Sequence, residues 1–136
     1  MKKGFTLIEL LVVISIIGIL STLIIANLNS ARERSRDAQR KADLRNLQTA
    51  LRMYYNDAGG YPSGLPAWGS AWTVGLTTYM SALPKDPLSS QNYRYSFVDG
   101  DNYTLEACLE NKSDDKGVAT SDTTWCPSGV EYVAKP

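Results

Sequence analysis

The sequence predicts an α+β fold in which a long N-terminal helix is packed by a small antiparallel β-sheet head. Three observations predict it: an apolar segment near the amino terminus, an amphipathic helical pattern directly after it, and alternating apolar residues in the last third. Neither proline nor glycine occurs in residues 22–56. We therefore expect one helix from about residue 5 to residue 56, about 78 Å long at 1.5 Å per residue.

The apolar segment runs from Phe5 to Leu28 and contains one charged residue, Glu9. As a helix its 24 residues would extend about 36 Å, which exceeds the ~30 Å hydrocarbon core of a bilayer. The residues at its end are poor matches to a secretory cleavage site. A carboxylate inside a membrane helix costs roughly 2.5–3.5 kcal/mol, so Glu9 needs a partner.

The segment from about residue 29 to residue 56 has the apolar spacing of an amphipathic helix. Its apolar residues recur at intervals of three or four, namely Leu44, Leu47, Leu51 and Tyr54 or Tyr55. Asp37 and Lys41 are spaced to form an i, i+4 ion pair on this helix. A double glycine and a proline within residues 56–62 predict that the helix ends there.

The region between this helix and the last third contains one predicted helix and one stiff connector. The apolar spacing over about residues 70–82 indicates a short amphipathic helix. Prolines at both ends of residues 83–87 indicate an extended segment. Trp68 and Trp72 either form an exposed adhesive patch or pack beneath the surrounding loop, and packing is the favoured interpretation.

Strand-like alternation dominates the last third of the chain. Residues 93–97 and 103–109 alternate about an Asp-Gly turn at Asp99, which predicts a β-hairpin. Residues 130–133 are a candidate third strand. We expect this antiparallel sheet to pack on the C-terminal half of the long helix.

Charge is balanced overall but not along the chain. Residues 29–56 hold seven bases and three acids, a net charge of +4, whereas residues 57–136 hold five bases and ten acids, a net charge of −5. Such polarity favours ordered packing between copies, or it reflects solvated surfaces. The chain has no histidine, and no nucleophile with a visible base or phosphate-binding glycine loop stands out. The sequence therefore does not indicate an enzyme.

Two cysteines, Cys108 and Cys126, bear on the compartment. A cysteine pair beyond a membrane segment indicates a disulfide in an oxidising compartment, and the alternative is two buried thiols. A bridge closing a loop of this size would stabilise the fold by about 3 kcal/mol. More bases follow the apolar segment than precede it, and that count alone would place the head in the cytoplasm.

The amino terminus resembles the prepilin signature of type IV pilins and type II secretion pseudopilins. The resemblance rests on the basic Lys2-Lys3 followed by Gly4-Phe5-Thr6-Leu7-Ile8-Glu9-Leu10-Leu11-Val12-Val13-Ile14. It implies three segments: a leader at 1–4, a transmembrane and filament-core helix at 5–28, and a soluble pilin-like head at 29–136. It also implies that a prepilin peptidase cuts between Gly4 and Phe5 and methylates the new Phe5 amino group.

The resemblance further implies what Glu9 does and where the protein acts. In a helical homopolymer the Glu9 carboxylate would pair with the Phe5 ammonium of a neighbouring copy. The precursor would be a single-pass inner-membrane protein with an extracytoplasmic head, served by an inner-membrane assembly platform. The product would be an extracellular or periplasmic filament. Many family members carry a proline where this chain has Ala26, so Gly18 alone would weaken the helix here.

The head resembles major pseudopilins in three places, and one of them suggests calcium. Tyr61-Pro62 and Leu83-Pro84-Lys85-Asp86-Pro87 are similar to their helix-to-loop junction and connector. The acidic loop before Trp125 loosely resembles their calcium loop, with candidate ligands Leu109, Asn111, Asp114 and Asp122. A solvated loop held by the disulfide is the alternative. The cysteine-bounded loop itself is more similar to pilins.

The predicted function is therefore a filament-building subunit of a type IV pilus or a type II secretion pseudopilus. An alternative is a minor pilin or pseudopilin that caps the fibre and captures DNA or a surface. The acidic head disfavours DNA, because phosphate contacts require cations. A membrane-anchored surface protein that never polymerises would leave Glu9 unexplained.

Overall fold

The computed structural model describes residues 4–136, without the side chains of Leu23 and Ala26. The expectations for leader residues 1–3 and for the Ala26 side chain thus lie outside the described part of the chain. The residues divide into two compact units, one ending at Glu33 and the other formed by Arg34–Pro136.

One helix, α1 (Leu7–Ala58), supplies most of the first unit and the helical part of the second. Gly59 ends it: its φ is +76°, and its N–H donates to the Tyr55 carbonyl at 2.8 Å. This left-handed glycine cap satisfies a carbonyl in the last turn. By length and composition α1 is apolar enough to cross a membrane, and the large apolar side chains from Phe5 to Leu28 that the structure describes are exposed.

The second unit contains two antiparallel sheets. The first pairs β1 (Trp72–Val74) with β2 (Thr77–Met80). The second has the order β3-β4-β6-β5. Its strands are β3 (Arg94–Asp99), β4 (Asn102–Cys108), β5 (Val118–Ala119) and β6 (Val130–Ala134). The predicted hairpin and third strand are confirmed, and the α+β arrangement of one long helix and antiparallel sheets is confirmed with them.

The core lies between the four-stranded sheet and α1. Alternation along β4 directs Tyr103, Leu105 and Ala107 inward, where they are at most 2% exposed. They share a buried cluster with the apolar stripe of α1, formed by Leu44, Leu47, Ala50 and Leu51. This is the stripe that the sequence predicted.

The short helix predicted at about residues 70–82 is wrong, because this segment forms the β1–β2 hairpin. Its residues flank Gly75, whose φ of +60° makes the turn. The β-branched and aromatic residues on both sides favour strands. The helical spacing of its apolar residues was coincidental. Strands of three and four residues are too short for the spacing of apolar residues to distinguish a helix from a strand.

The tryptophans of this region pack inward. Trp72 is 2% exposed, and its ring centroid lies 5.4 Å from that of Tyr54 and 5.2 Å from that of Tyr79. Trp68 is partly buried, with its ring 5.7 Å from the Tyr93 ring. The prediction that these tryptophans pack inward is therefore confirmed, and they do not form an exposed adhesive patch.

Candidate functional site

The amino-terminal turn of α1 is closed by reciprocal hydrogen bonds between Thr6 and Glu9. The Thr6 backbone N–H donates to Glu9 Oε2 at 2.9 Å, and the Thr6 hydroxyl donates to the same oxygen at 2.7 Å. In return the Glu9 N–H donates to Thr6 Oγ1 at 3.2 Å. This is a capping box, in which threonine at the N-cap and glutamate three residues later satisfy each other's free donors.

Glu9 therefore has a hydrogen-bond partner within its own chain. The sequence pattern Thr-x-x-Glu was the signal for this cap. The prediction for Glu9 named only an ion pair with a neighbouring copy. Phe5 lies just before the cap and is 82% exposed. The pairing of Glu9 with a neighbour's Phe5 ammonium stays a prediction, as does cleavage after Gly4.

A buried arginine joins three segments of the second unit. The Arg40 side chain is 0% exposed and forms two parallel hydrogen bonds to Asp86, at 2.7 and 2.8 Å. Its Nη1 also donates to Asp37 Oδ1 and Glu110 Oε1, each at 2.7 Å. Burial disfavours the charged guanidinium, but the hydrogen bonds to the three carboxylates outweigh it and raise the Arg40 pKa.

Asp37, on α1, holds the backbone segment that comes directly after β4. Its carboxylate accepts the Glu110 N–H at 2.9 Å and the Asn111 N–H at 2.8 Å. The i, i+4 pair predicted between Asp37 and Lys41 is wrong. Asp37 instead pairs with Arg40, and Lys41 pairs with Asp114 across the chain. The buried carboxylate is satisfied by a cation and two backbone donors at once, which the exposed i, i+4 geometry does not offer.

Two more ion pairs hold the loop after β4, and both lower a carboxyl pKa. The Arg36 guanidinium, followed by Arg40, outweighs partial burial and lowers the pKa of Glu110. Partial burial opposes ionisation of Asp114, but hydrogen bonds from Lys41 and from the Lys116 N–H outweigh it and lower the Asp114 pKa.

Two of the four candidate calcium ligands, Asp114 and Asp122, are paired with cations. Asp114 is paired with Lys41, and Asp122 is paired with Arg94 at 2.8 Å while it accepts the Trp125 N–H. Asn111 Oδ1 accepts the Ser113 N–H. Among the described residues, no three His, Cys, Asp or Glu side chains cluster closely enough to hold a metal ion. Both carboxylates are thus already paired with cations, and calcium binding by these residues stays a prediction.

The disulfide between Cys108 and Cys126 is confirmed, with the two Cα atoms 5.2 Å apart. It joins the end of β4 to the turn before β6, and therefore closes the acidic loop at both ends. Cys126 is 0% exposed and Cys108 is 5% exposed. On one side of this bridge Trp125 covers the Arg94 guanidinium, 4.2 Å from the ring centroid.

The second unit is expected to lose stability in acid. The pKa of Glu110 and that of Asp114 are depressed on folding, so their contribution is full above the ordinary carboxyl pKa of about 4. It is lost as the pH falls through the lower, folded-state pKa. Urea unfolding of the full chain in detergent, followed by tryptophan fluorescence, should show a lower midpoint at pH about 3 than at pH about 7.

Glu110→Gln provides the control for this pH dependence. The variant should be less stable than the unmodified chain at neutral pH, and its midpoint should fall less on acidification. Glu106 acts in the opposite direction, because burial and then Glu131 raise its pKa. Both chains carry Glu106, so the comparison cancels its contribution. Equal pH slopes for the two chains would contradict the role of Glu110.

Two models of known protein families match this chain, one at the amino terminus and one over most of the remainder. A family model described as the prokaryotic N-terminal methylation motif matches residues 1–25. A second, described as type II secretion system (T2SS), protein G, matches residues 27–122. No solved structure matches at a significant level.

Similar proteins come from both secretion systems and pili. The type II secretion system core protein G of Pectobacterium carotovorum is 36% identical over 96 residues, covering 63% of this chain and 62% of that protein. The corresponding Escherichia coli protein is 35% identical over 96 residues, covering 63% and 66%. The type IV wide pilus major component PilA4 of Thermus thermophilus is 46% identical over 129 residues, covering 95% of each chain. The chain thus spans less than two thirds of the Pectobacterium protein, but nearly all of the Thermus protein.

Proposed function

Because the chain belongs to the type II secretion system protein G family, we propose that it is a structural subunit that polymerises into a filament. The observation that carries the proposal is the exposed apolar part of α1. Its first turn is capped by Thr6 and Glu9, and it lies within the match to the methylation motif. The described residues leave this surface uncovered, so it requires lipid or other apolar helices. A precursor in a membrane and a helical polymer supply these two environments in turn.

Processing would allow the subunit to leave the membrane and enter the polymer. Cleavage between Gly4 and Phe5 by a prepilin peptidase creates a new amino group, which the same enzyme methylates. Phe5 is exposed, and a Cβ added at Gly4 would meet no atom within 4 Å, so the bond between them is accessible on the described chain. An inner-membrane assembly platform would then extract the subunit into the filament.

The disulfide supports an extracytoplasmic compartment for the head. A buried bridge that closes a loop is typical of proteins that fold outside the cytoplasm. The head would accordingly be extracytoplasmic in the single-pass precursor, and the filament periplasmic or extracellular. The count of basic residues on either side of the apolar segment favours a cytoplasmic head. The disulfide outweighs it, because a cytoplasmic head would keep its cysteines reduced.

A pilus and a pseudopilus are both compatible with these features. The greater coverage of the Thermus pilus component favours a pilus, and the match over residues 27–122 favours the secretion family. The minor-subunit alternative is not favoured, since the similar proteins are described as core or major components. These descriptions also support a structural rather than an enzymatic role.

Mass spectrometry of the mature protein tests the proposal, combined with electron microscopy of the cells that produce it. The expected results are a chain that begins with N-methylated Phe5 and filaments that contain it. Deletion of the prepilin peptidase gene should leave the chain starting at Met1 and remove the filaments. A mature chain that retains Met1, or one cut after residue 20, would contradict the proposal.

A further inference from the structure

The second unit exposes apolar side chains at the end where α1 stops. The β1–β2 hairpin places Val74 and Leu76 there, 48% and 104% exposed, and the end of β3 adds Val98, 61% exposed. The position of the hairpin follows from its contacts. Near its base Trp68 makes an edge-to-face contact with Tyr93, whose hydroxyl donates to Asp43 of α1.

Further along the hairpin, its side chains meet later residues of α1. The rings of Trp72 and Tyr79 contact the Tyr54 ring, and the Tyr79 hydroxyl donates to Asp57 in the last turn. These contacts place Tyr79 beside the last turn of α1, and the tip of the hairpin at Leu76 is three residues from Tyr79.

Carboxylates surround these apolar side chains. Asp57 is exposed on the last turn of α1, and that turn has no basic residue. Asp99 and Asp101 are exposed in the β3–β4 turn. Tyr55 holds this turn against the helix end, because its hydroxyl donates to Asp101 at 2.7 Å. We call this surface, formed by Val74, Leu76, Val98, Asp57, Asp99 and Asp101, the apical surface.

The opposite end of the second unit has the opposite charge. The loop after β4 is fixed there by Asp37, and it exposes Lys112 and Lys116. Arg34, one helical turn before Asp37, is also exposed, and so is Val118 of β5. We call Arg34, Lys112, Lys116 and Val118 the basal surface. One acid, Asp115, is exposed beside them, so the surface is net positive.

We propose that the apical surface of one copy docks on the basal surface of a second copy of this chain. This inference rests on the proposed function and adds the contacts that stack the heads. The occupant follows from charge: apical carboxylates meet basal cations, while apical or basal surfaces paired with themselves would repel. Such a contact joins two different surfaces, so it leaves one of each free on every pair of copies, and it extends into an open filament when the rotation between copies does not close a ring. The exposed apolar residues supply the buried centre that such a contact needs.

Chemical cross-linking of assembled filaments tests the contact directly. Within one copy the two surfaces are far apart. The basal loop is held at Asp37 and the apical turn at Tyr55, 18 residues later on α1, which is about 27 Å at 1.5 Å per residue. A carbodiimide joins a carboxylate and an amine only when they touch. An amide between Lys112 or Lys116 and Asp57, Asp99 or Asp101 must therefore connect two copies. We expect this amide in cross-linked dimers by mass spectrometry.

Charge reversal supplies the second test, in cells that express the full chain. Lys112→Glu with Lys116→Glu should lower the yield of sheared filaments at least about tenfold, equivalent to a loss of 1.4 kcal/mol per contact. Asp57→Lys with Asp101→Lys should do the same. Co-expression of the two variants should restore filaments, because each apical surface then has a basal surface of opposite charge on the other variant.

Lys135→Glu is the matched control. Lys135 is exposed beyond β6, and its carbonyl accepts a hydrogen bond from Gln48, so it lies on neither surface. It should leave the filament yield unchanged. Normal filaments from the double Lys112/Lys116 variant, or wild-type filaments cross-linked only through other residues, would overturn the end-to-end contact and leave the proposed function standing. A wild-type chain that forms no filaments would overturn both.

Discussion

Filaments are expected to disappear when Glu9 is replaced by alanine. The variant should still insert into the membrane, because the replacement makes its apolar segment more hydrophobic. The loss has two physical components. One is the cap on the first turn of α1, where Glu9 accepts from Thr6. The other is the predicted pair with the Phe5 ammonium of a neighbouring copy, and removing one partner of a buried pair typically costs 3–5 kcal/mol.

Two further variants separate these components. Thr6→Val keeps the size of the side chain and the Glu9 carboxylate but removes the hydroxyl from the cap, which costs about 1 kcal/mol. Glu9→Gln keeps a hydrogen-bond acceptor for Thr6 but removes the charge. If the charge pairs with a neighbour, Thr6→Val should assemble and Glu9→Gln should not.

Counting filaments by electron microscopy, with membrane fractionation as the insertion control, distinguishes the outcomes. Assembly by Glu9→Gln together with failure of Thr6→Val would show that Glu9 acts through its own helix cap. Normal filaments from Glu9→Ala would remove Glu9 from assembly altogether. The capping box therefore changes the experiment, because an alanine variant alone no longer identifies the partner.

The elements that were predictable from the sequence are those whose signal is local and repeated. The apolar stripe of α1 recurs at helical spacing, and the β3–β4 hairpin combines alternation with an Asp-Gly turn. The β1–β2 hairpin lacked both, since its strands are short and Trp72 is its one fully buried residue. A pattern needs several repeats before its period can be measured.

The charge network could not be predicted because its members are far apart in the sequence. Arg40 is 46 residues from Asp86 and 70 residues from Glu110. Local spacing proposes partners three or four residues apart, and Asp37 was assigned to Lys41 rather than to Arg40. The same limit affected the acidic loop: its carboxylates were visible, but the cations that neutralise them lie on α1 and β3.

Replacing Arg40 with methionine is expected to destabilise the second unit by at least about 3 kcal/mol. The variant keeps an unbranched side chain for packing, but it leaves Asp37, Asp86 and Glu110 without their shared cation. Asp37 and Asp86 are almost fully buried, so water cannot replace the lost hydrogen bonds. Urea unfolding of the full chain in detergent, followed by tryptophan fluorescence, measures the change. Arg45→Met is the matched control, because Arg45 is exposed on the same helix and should change stability by less than about 0.5 kcal/mol.

A double variant identifies the physical source of that loss. If the cost arises from orphaned buried charge, Arg40→Met combined with Asp86→Asn should be less destabilised than the sum of the two single variants. Purely additive effects would mean that the cost does not arise from leaving Asp86 without its cation. The distinction bears on assembly, because Arg40 joins α1 to the segments that carry Asp86 and Glu110, and the loop after Glu110 presents Lys112 and Lys116. A network that loosens on loss of Arg40 would release that loop, so Arg40→Met should also weaken the basal surface without changing any residue on it.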